Sequence, residues 1–111
     1  MKQKFEFEFE HFEQMESLSD ADSALLIAAR NATKTAFAPY SKFKVGAAAL
    51  LSNGQIVIGS NQESASYPVG ICAERTLLNS IGSQFSSETI LAMAISYDTD
   101  KAACDLSLIH I

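Results

Sequence analysis

Little in this sequence suits a charged polymer or a membrane. Lys and Arg together number eight in 111 residues, and they form no basic stripe that would neutralise phosphates, so DNA or RNA polymers are not expected as partners. No apolar run reaches the ~20 residues a membrane helix needs, and no membrane contact is expected. The N-terminus lacks the basic-then-apolar order of a secretory leader, which makes a cytoplasmic location the expectation. Cysteine is scarce, with only Cys72 and Cys104. In a cytosolic chain of this size a disulfide is not expected, leaving metal binding, catalysis or packing for these thiols. No repeat, low-complexity segment or linker divides the chain, and a single domain over residues 1–111 is expected.

What is present is enough for one modest core, since 48% of the residues are hydrophobic. The net charge of −5 is localised. Residues 1–22 hold seven acids against Lys2 and Lys4, while the remainder carries six acids and six bases. A small uncharged ligand suits such a surface. Within the acidic segment, Lys4 to Glu10 alternates strictly between apolar and charged residues, the period of a half-buried strand. Phe5, Phe7 and Phe9 would face the core or a partner subunit.

A helix is expected from about residue 19 to 37. Ser19-x-x-Asp22 resembles a capping box with acids in the first turn. Leu25, Leu26, Ala29, Ala32, Ala36 and Phe37 supply its apolar face, and Pro39 would stop it. Phe43 to Leu51 reads as a strand, Asn53-Gly54 as a tight turn with positive backbone angles, and Gln55 to Ser60 as the returning strand. After a loop at Tyr67-Pro68-Val69-Gly70, a second helix is expected from about Cys72 to Ile81, with Gly82 as its stop. Ile90 to Ser96 is almost continuously apolar, as befits a central strand covered on both faces. The order β-α-β-β-α-β implies an α/β fold, a mixed sheet with flanking helices in α-β-α layers.

The densest chemistry lies at Ile71-Cys72-Ala73-Glu74-Arg75. A helix N-terminus offers unpaired N–H groups and partial positive charge, which favour the thiolate that binds metal. Glu74 on the same turn would reach a water on that metal, and Arg75 would donate to the sulfur. Taken alone, Cys-x-Glu is weak, since a lone cysteine at a helix start is more often packing. Phe43 equally suits a strand core. Asn61 and Glu63 equally suit the solvent face of a strand end. Tyr67-Pro68 equally serves to shape a loop, and His11 reads as a surface residue.

Three segments in register change this balance: Ala38-Pro-Tyr-Ser-Lys-Phe-Lys-Val-Gly-Ala47, Asn61-Gln-Glu-Ser-Ala-Ser-Tyr-Pro68 and Cys72-Ala-Glu-Arg75. Together they closely resemble the cytidine deaminase family, in its three-cysteine tetrameric class. The resemblance implies hydrolytic deamination of cytidine or deoxycytidine to uridine or deoxyuridine plus ammonia, by a zinc-bound hydroxide, in pyrimidine salvage. It implies Zn2+ as cofactor, Cys72 as the first metal ligand and Glu74 as the proton shuttle. It further implies Phe43 beside the base, Asn61 and Glu63 on the ribose hydroxyls, the Ala73 backbone N–H on the pyrimidine carbonyl, and Arg75 next to the thiolate. The partners implied are a small-molecule nucleoside and further copies of the chain in a homotetramer.

The sequence then departs from the family, which draws two further thiolates from a Pro-Cys-x-x-Cys motif. After Asp98-Thr-Asp-Lys101 the chain reads Ala-Ala-Cys-Asp-Leu-Ser-Leu-Ile-His-Ile, with Ala103 in place of the proline and Ser107 in place of the last cysteine. The expectation is a C-terminally truncated domain with residues 104–111 as a foreign, unstructured tail. Two other readings stand beside it. One is a deaminase relative that has lost catalysis but keeps nucleoside binding or assembly. The other is a mixed site of Cys72, Cys104 and His110, a donor set acceptable to zinc.

Overall fold

The computed structural model describes residues 19–66, 69–99 and 106–110. The expected N-terminal strand with Phe5, Phe7 and Phe9, His11, the Tyr67-Pro68 pair and Cys104 lie outside the described residues.

Helix α1 spans Asp20–Ala32, and Ser19 caps it from extended backbone, its Oγ accepting from the Asp22 N–H at 3.2 Å. Leu25, Leu26, Ala29 and Ala32 are buried. The helix ends well before Pro39. A 3-10 turn over Thr33–Thr35 follows, and Ala36 is extended. The Thr33 and Thr35 hydroxyls donate back to the carbonyls of Arg30 and Ala32 at 2.6 and 2.8 Å, tightening the last turn. Phe37 is drawn into a backbone bridge with Gln62 and is 55% exposed, not on the helix's apolar face as expected.

Strands β1 (Phe43–Leu51) and β2 (Ile56–Ser60) form an antiparallel hairpin. Its turn differs from the expected pair of positive angles. Only Gly54 has positive φ, at 87°. The Asn53 side chain instead accepts from the Gln55 N–H at 2.9 Å, and the three residues 52–54 make up the loop, as in hairpins whose last loop residue is left-handed.

Helix α2 spans Ala73–Gln84, beginning directly after Cys72. It runs through Gly82, the expected stop. Phe85 packs against the core and its N–H reaches the Ile81 carbonyl at 2.8 Å, so the apolar contact lies beyond the glycine and carries the helix past it.

Strand β3 (Ile90–Thr99) pairs antiparallel with β1, and β4 (Leu106–His110) pairs antiparallel with β3, giving the order β2-β1-β3-β4. The tail is therefore not without structure. Residues 106–110 satisfy the backbone groups on the outer edge of β3, which would otherwise stand open. Every adjacent pair is antiparallel, so among the described strands the sheet is antiparallel and not the expected mixed one: α2 crosses from β2 to β3, but β1 lies between those two strands and pairs antiparallel with both.

Each face of the sheet carries one helix, giving the expected α-β-α layers. Ala48, Ala92 and Ala94 meet Leu25, Leu26 and Ala29 of α1. On the other face, Ala47, Ala49, Leu51 and Met93 meet Ala73, Leu77 and Ile81 of α2. Alternate residues of β1 thus face opposite helices, which is why the strand reads as continuously apolar. Small residues dominate because the helices approach closely. A Cβ on Gly46 would stand 2.0 Å from the Ala29 carbonyl oxygen, and one on Gly59 would stand 2.7 Å from the Leu77 backbone nitrogen. Fully buried Leu25, Leu51 and Leu77 each contribute roughly 1.5–3 kcal/mol.

Two glycine substitutions should move stability in opposite directions. Gly46→Ala forces a methyl into the backbone of α1 and should cost about 2 kcal/mol or more. Gly82→Ala meets open space inside a helix and should stabilise by about 0.5–1 kcal/mol. Urea unfolding of both variants tests the pair. Equal or reversed signs would contradict the packing described.

Candidate active site

The segment after β2 does not simply wander to α2. The Gln62 N–H and carbonyl pair with the carbonyl and N–H of Ile71 at 2.9 and 3.0 Å. On its other side, the Phe37 N–H donates to the Asn61 carbonyl at 3.0 Å and the Glu63 N–H donates to the Phe37 carbonyl at 2.8 Å. Residues 61–63 are thereby clamped between residue 37 and residue 71, and sequence separation from Cys72 becomes spatial proximity.

Cys72 is the N-cap of α2, in extended backbone. Its carbonyl accepts from both the Thr76 N–H and the Thr76 hydroxyl at 2.9 Å. Its side chain takes no part in capping and is exposed. Ala73 opens the helix and is fully buried, at a position whose N–H has no partner within a helix. Glu74 follows in the first turn, half-buried.

Asn61 is fixed to β1 at both ends of its amide. Its Oδ1 accepts from the Val45 N–H at 2.9 Å, and its Nδ2 donates to the Phe43 carbonyl at 3.0 Å. Each of these atoms retains capacity for a second hydrogen bond. Glu63 is held as firmly. Its Oε1 accepts from the backbone N–H groups of Tyr40 and Ser41 at 3.0 and 3.1 Å, and its Oε2 accepts from the Ser41 hydroxyl. The Ser41 Oγ in turn accepts from the Phe43 N–H at 3.1 Å. The next residue, Lys42, adopts left-handed backbone with φ 60°, and its N–H closes the turn onto the Ala38 carbonyl at 3.1 Å. The Ser41 hydroxyl and amide, with the Tyr40 amide and the Lys42 charge, hold the Glu63 carboxyl below its ordinary range.

These groups line one cleft of about 650 Å³. Of the residues expected from sequence, it brings together Phe43, Asn61, Glu63, Cys72, Ala73 and Glu74. Arg75 is exposed and is not on the cleft wall. Two further residues carry weight that the sequence pattern does not reveal. Ser41 lies inside the Ala38–Ala47 motif, but the motif assigns it no role. Tyr97 comes from β3, and its ring stacks on Phe43 with centroids 4.8 Å apart and planes at 21°. Among the described residues the cleft wall carries two carboxylates and no Lys, Arg or His.

As a zinc ligand, Cys72 fits in donor type, in placement beside Glu74 and in having no competing cap bond. It is one ligand, however. Among the described residues no group of three or more His, Cys, Asp or Glu side chains is arranged to hold a metal. The mixed reading of Cys72 with Cys104 and His110 rests on Cys104 and on the His110 side chain, which lie outside what the structure describes.

Comparison with known proteins gives a consistent result. Residues 19–104 match the family described as the cytidine and deoxycytidylate deaminase zinc-binding region. A cytidine deaminase of Halalkalibacterium halodurans is 40% identical over 77 residues, which are 69% of this chain and 58% of that protein. A probable cytidine deaminase of Dictyostelium discoideum is 53% identical over 49 residues, 44% of this chain and 33% of that protein. Among solved structures, the cytidine deaminase of Mycobacterium tuberculosis superposes with a TM-score of 0.64 at 37% identity, covering 71% of this chain and 63% of that one. The Mycobacterium leprae cytidine deaminase gives a TM-score of 0.62 at 28% identity, covering 77% of this chain and 72% of that one. The chain spans about half the length of the relatives it matches.

The grip of Glu63 on the 40–41 turn should be pH-dependent. A carboxylate whose folded-state pKa is lowered contributes stability that is full above its unfolded value and is lost as pH falls through the folded value. The amide NMR signals of Tyr40 and Ser41 should therefore titrate together with a midpoint below the ordinary glutamate range, and Glu63→Gln should abolish that titration. A midpoint within or above that range would refute the arrangement.

Proposed function

From the premise that the chain belongs to the cytidine and deoxycytidylate deaminase zinc-binding family, we propose that its cleft binds a pyrimidine nucleoside and that the intact enzyme deaminates cytidine or deoxycytidine. The observation that carries this is the convergence of Cys72, Glu74, Phe43, Asn61, Glu63 and Ala73 on one cleft. Water adds to C4 of the cytosine ring, the C4 to amino-nitrogen bond breaks, and uridine or deoxyuridine and ammonia leave.

Each residue has a task in this reading. Cys72 supplies one thiolate to the zinc, with Arg75 as the neighbouring cation. Zinc, when bound, lowers the pKa of water to about 7 and so makes it nucleophilic at neutral pH. A three-ligand catalytic site draws its remaining ligands from outside the described residues. Glu74 takes one proton from the attacking water and gives it to ring N3, then takes the second from the new C4 hydroxyl and passes it to the departing amine, which leaves as ammonia. Phe43 lies against the ring. The second N–H on Asn61 Nδ2 and the remaining lone pairs of the Glu63 carboxylate meet the ribose hydroxyls. The Ala73 N–H holds the pyrimidine carbonyl.

Charge supports a nucleoside over a nucleotide. Two carboxylates and, among the described residues, no cation on the cleft wall would repel a phosphate and leave it without a donor pair. Assembly as a homotetramer, a place in pyrimidine salvage and a cytoplasmic location complete the proposal. Exposed Ile56 and Ile58, 44% and 46% accessible on edge strand β2, support association. Among the described residues no helix is long and apolar enough to cross a membrane. A second reading, a nucleoside-binding module without turnover, draws on the single metal ligand among the described residues.

Metal content and ammonia release from cytidine separate the two. In the active protein Glu74→Gln should keep zinc and lower turnover by at least ~10²-fold, the usual share of a general acid–base group. Cys72→Ala should lose zinc and turnover together. Near-normal turnover in Glu74→Gln would overturn the role given to that residue. Uridine binding without zinc or ammonia release would favour the silent module.

A further inference from the structure

We infer that Tyr97 is a positioning residue for the nucleoside site, holding the Phe43 ring in the orientation in which it meets the pyrimidine. The inference rests on the nucleoside reading of the cleft and extends it to a residue that neither the motifs nor the comparisons point to.

Phe43 needs such a support. It is the first residue of β1, at the strand's open end, and is 41% exposed. Its backbone is secured, since its N–H donates to Ser41 Oγ and its carbonyl accepts from Asn61 Nδ2. Nothing in those bonds fixes χ1 or χ2, and a half-exposed phenyl ring without a packing partner samples several rotamers. Tyr97 supplies the partner. In the β1–β3 ladder Val45 pairs with Tyr97 and Phe43 with Thr99, so Phe43 and Tyr97 are diagonal neighbours on one face of the sheet, within reach for aromatic side chains. The separation of 4.8 Å and angle of 21° describe an offset stack, one of the two favoured geometries of an aromatic pair. Val45 and Ile95 line the cleft beside the pair, and both are partly buried against the α2-side core. The ring that meets the base is therefore one layer of a stack anchored on the central strands.

A ring held in place before binding does not have to be ordered by the ligand, and losing that order weakens affinity without touching the proton transfers. The expected signature is a binding defect with chemistry intact. An aromatic stack of this kind should be worth about fivefold in affinity.

The test uses uridine, which shares ring and ribose with the substrate and does not react, titrated into the full chain and its Tyr97→Leu and Tyr97→Phe variants. Labelled Phe43 ring signals are followed by NMR. Tyr97→Leu should raise the uridine Kd about fivefold and shift the Phe43 ring signals towards averaged values, with a melting temperature close to wild type. Tyr97→Phe should restore both. Where the chain turns over cytidine, Tyr97→Leu should raise KM and leave kcat within about twofold. Binding by Tyr97→Leu within about twofold of wild type, or failure of Tyr97→Phe to rescue, overturns the inference alone. Absence of uridine binding to the wild-type chain overturns the nucleoside reading and this inference with it.

Discussion

Both helices rest on the sheet at backbone distance. Ala29 of α1 lies over Gly46, and the Ala73–Leu77 turn of α2 lies over Gly59, leaving no room for a Cβ at either position. Much else depends on that contact. It requires alanine where many sheets would carry branched residues, at 47, 48, 49, 92 and 94. It sets α2 low over the β1–β2 hairpin, so that its first turn, with Cys72 and Glu74, opens at the end of the sheet where Phe43, Val45, Ile95 and Tyr97 emerge. Such a seat is rigid, because a packed backbone has little freedom to slide without displacing main chain. The placement of the candidate catalytic turn is thus a property of two glycines on adjacent strands.

The elements with strong local signals are legible in the residues themselves. The span of β1, the presence of the hairpin and the start of α2 beside Cys72 all follow from periodicity and turn chemistry. The misplaced features share a cause. Local propensity proposes Pro39 and Gly82 as stops, but non-local contacts decide. Phe37 is claimed by Gln62 across 25 positions of sequence, and Phe85 draws α2 onward into the core. Strand β4 has no signature in its own short stretch of sequence. Its stability comes from the open edge of β3, which is a tertiary fact.

The candidate site shows the same division. Cys72, Glu74, Asn61 and Glu63 are legible because their fixed spacings make a pattern. Ser41 and Tyr97 are not, because their roles exist only through partners far away in sequence. Ser41 matters through Glu63, and Tyr97 through a strand register that sets it diagonal to Phe43. Conversely, the spacing that suggests ribose contacts for Asn61 and Glu63 gives no hint that both side chains are already bonded to the protein's own backbone.

That prior bonding has a consequence for how ligand recognition divides between folding and binding. Immobilising a rotamer-rich polar side chain when a complex forms costs conformational entropy. Glu63 and Asn61 have lost that freedom before any ligand arrives, with their oxygens aimed and partly dehydrated by the 40–41 turn and by β1. A hydroxyl entering the cleft meets acceptors already fixed in place. Under the proposed function the same economy couples two tasks in one carboxylate. A substitution at Glu63 removes the bonds that hold the 40–41 turn, so the kinetic effect of such a change would measure loop order and the proposed ribose contact together.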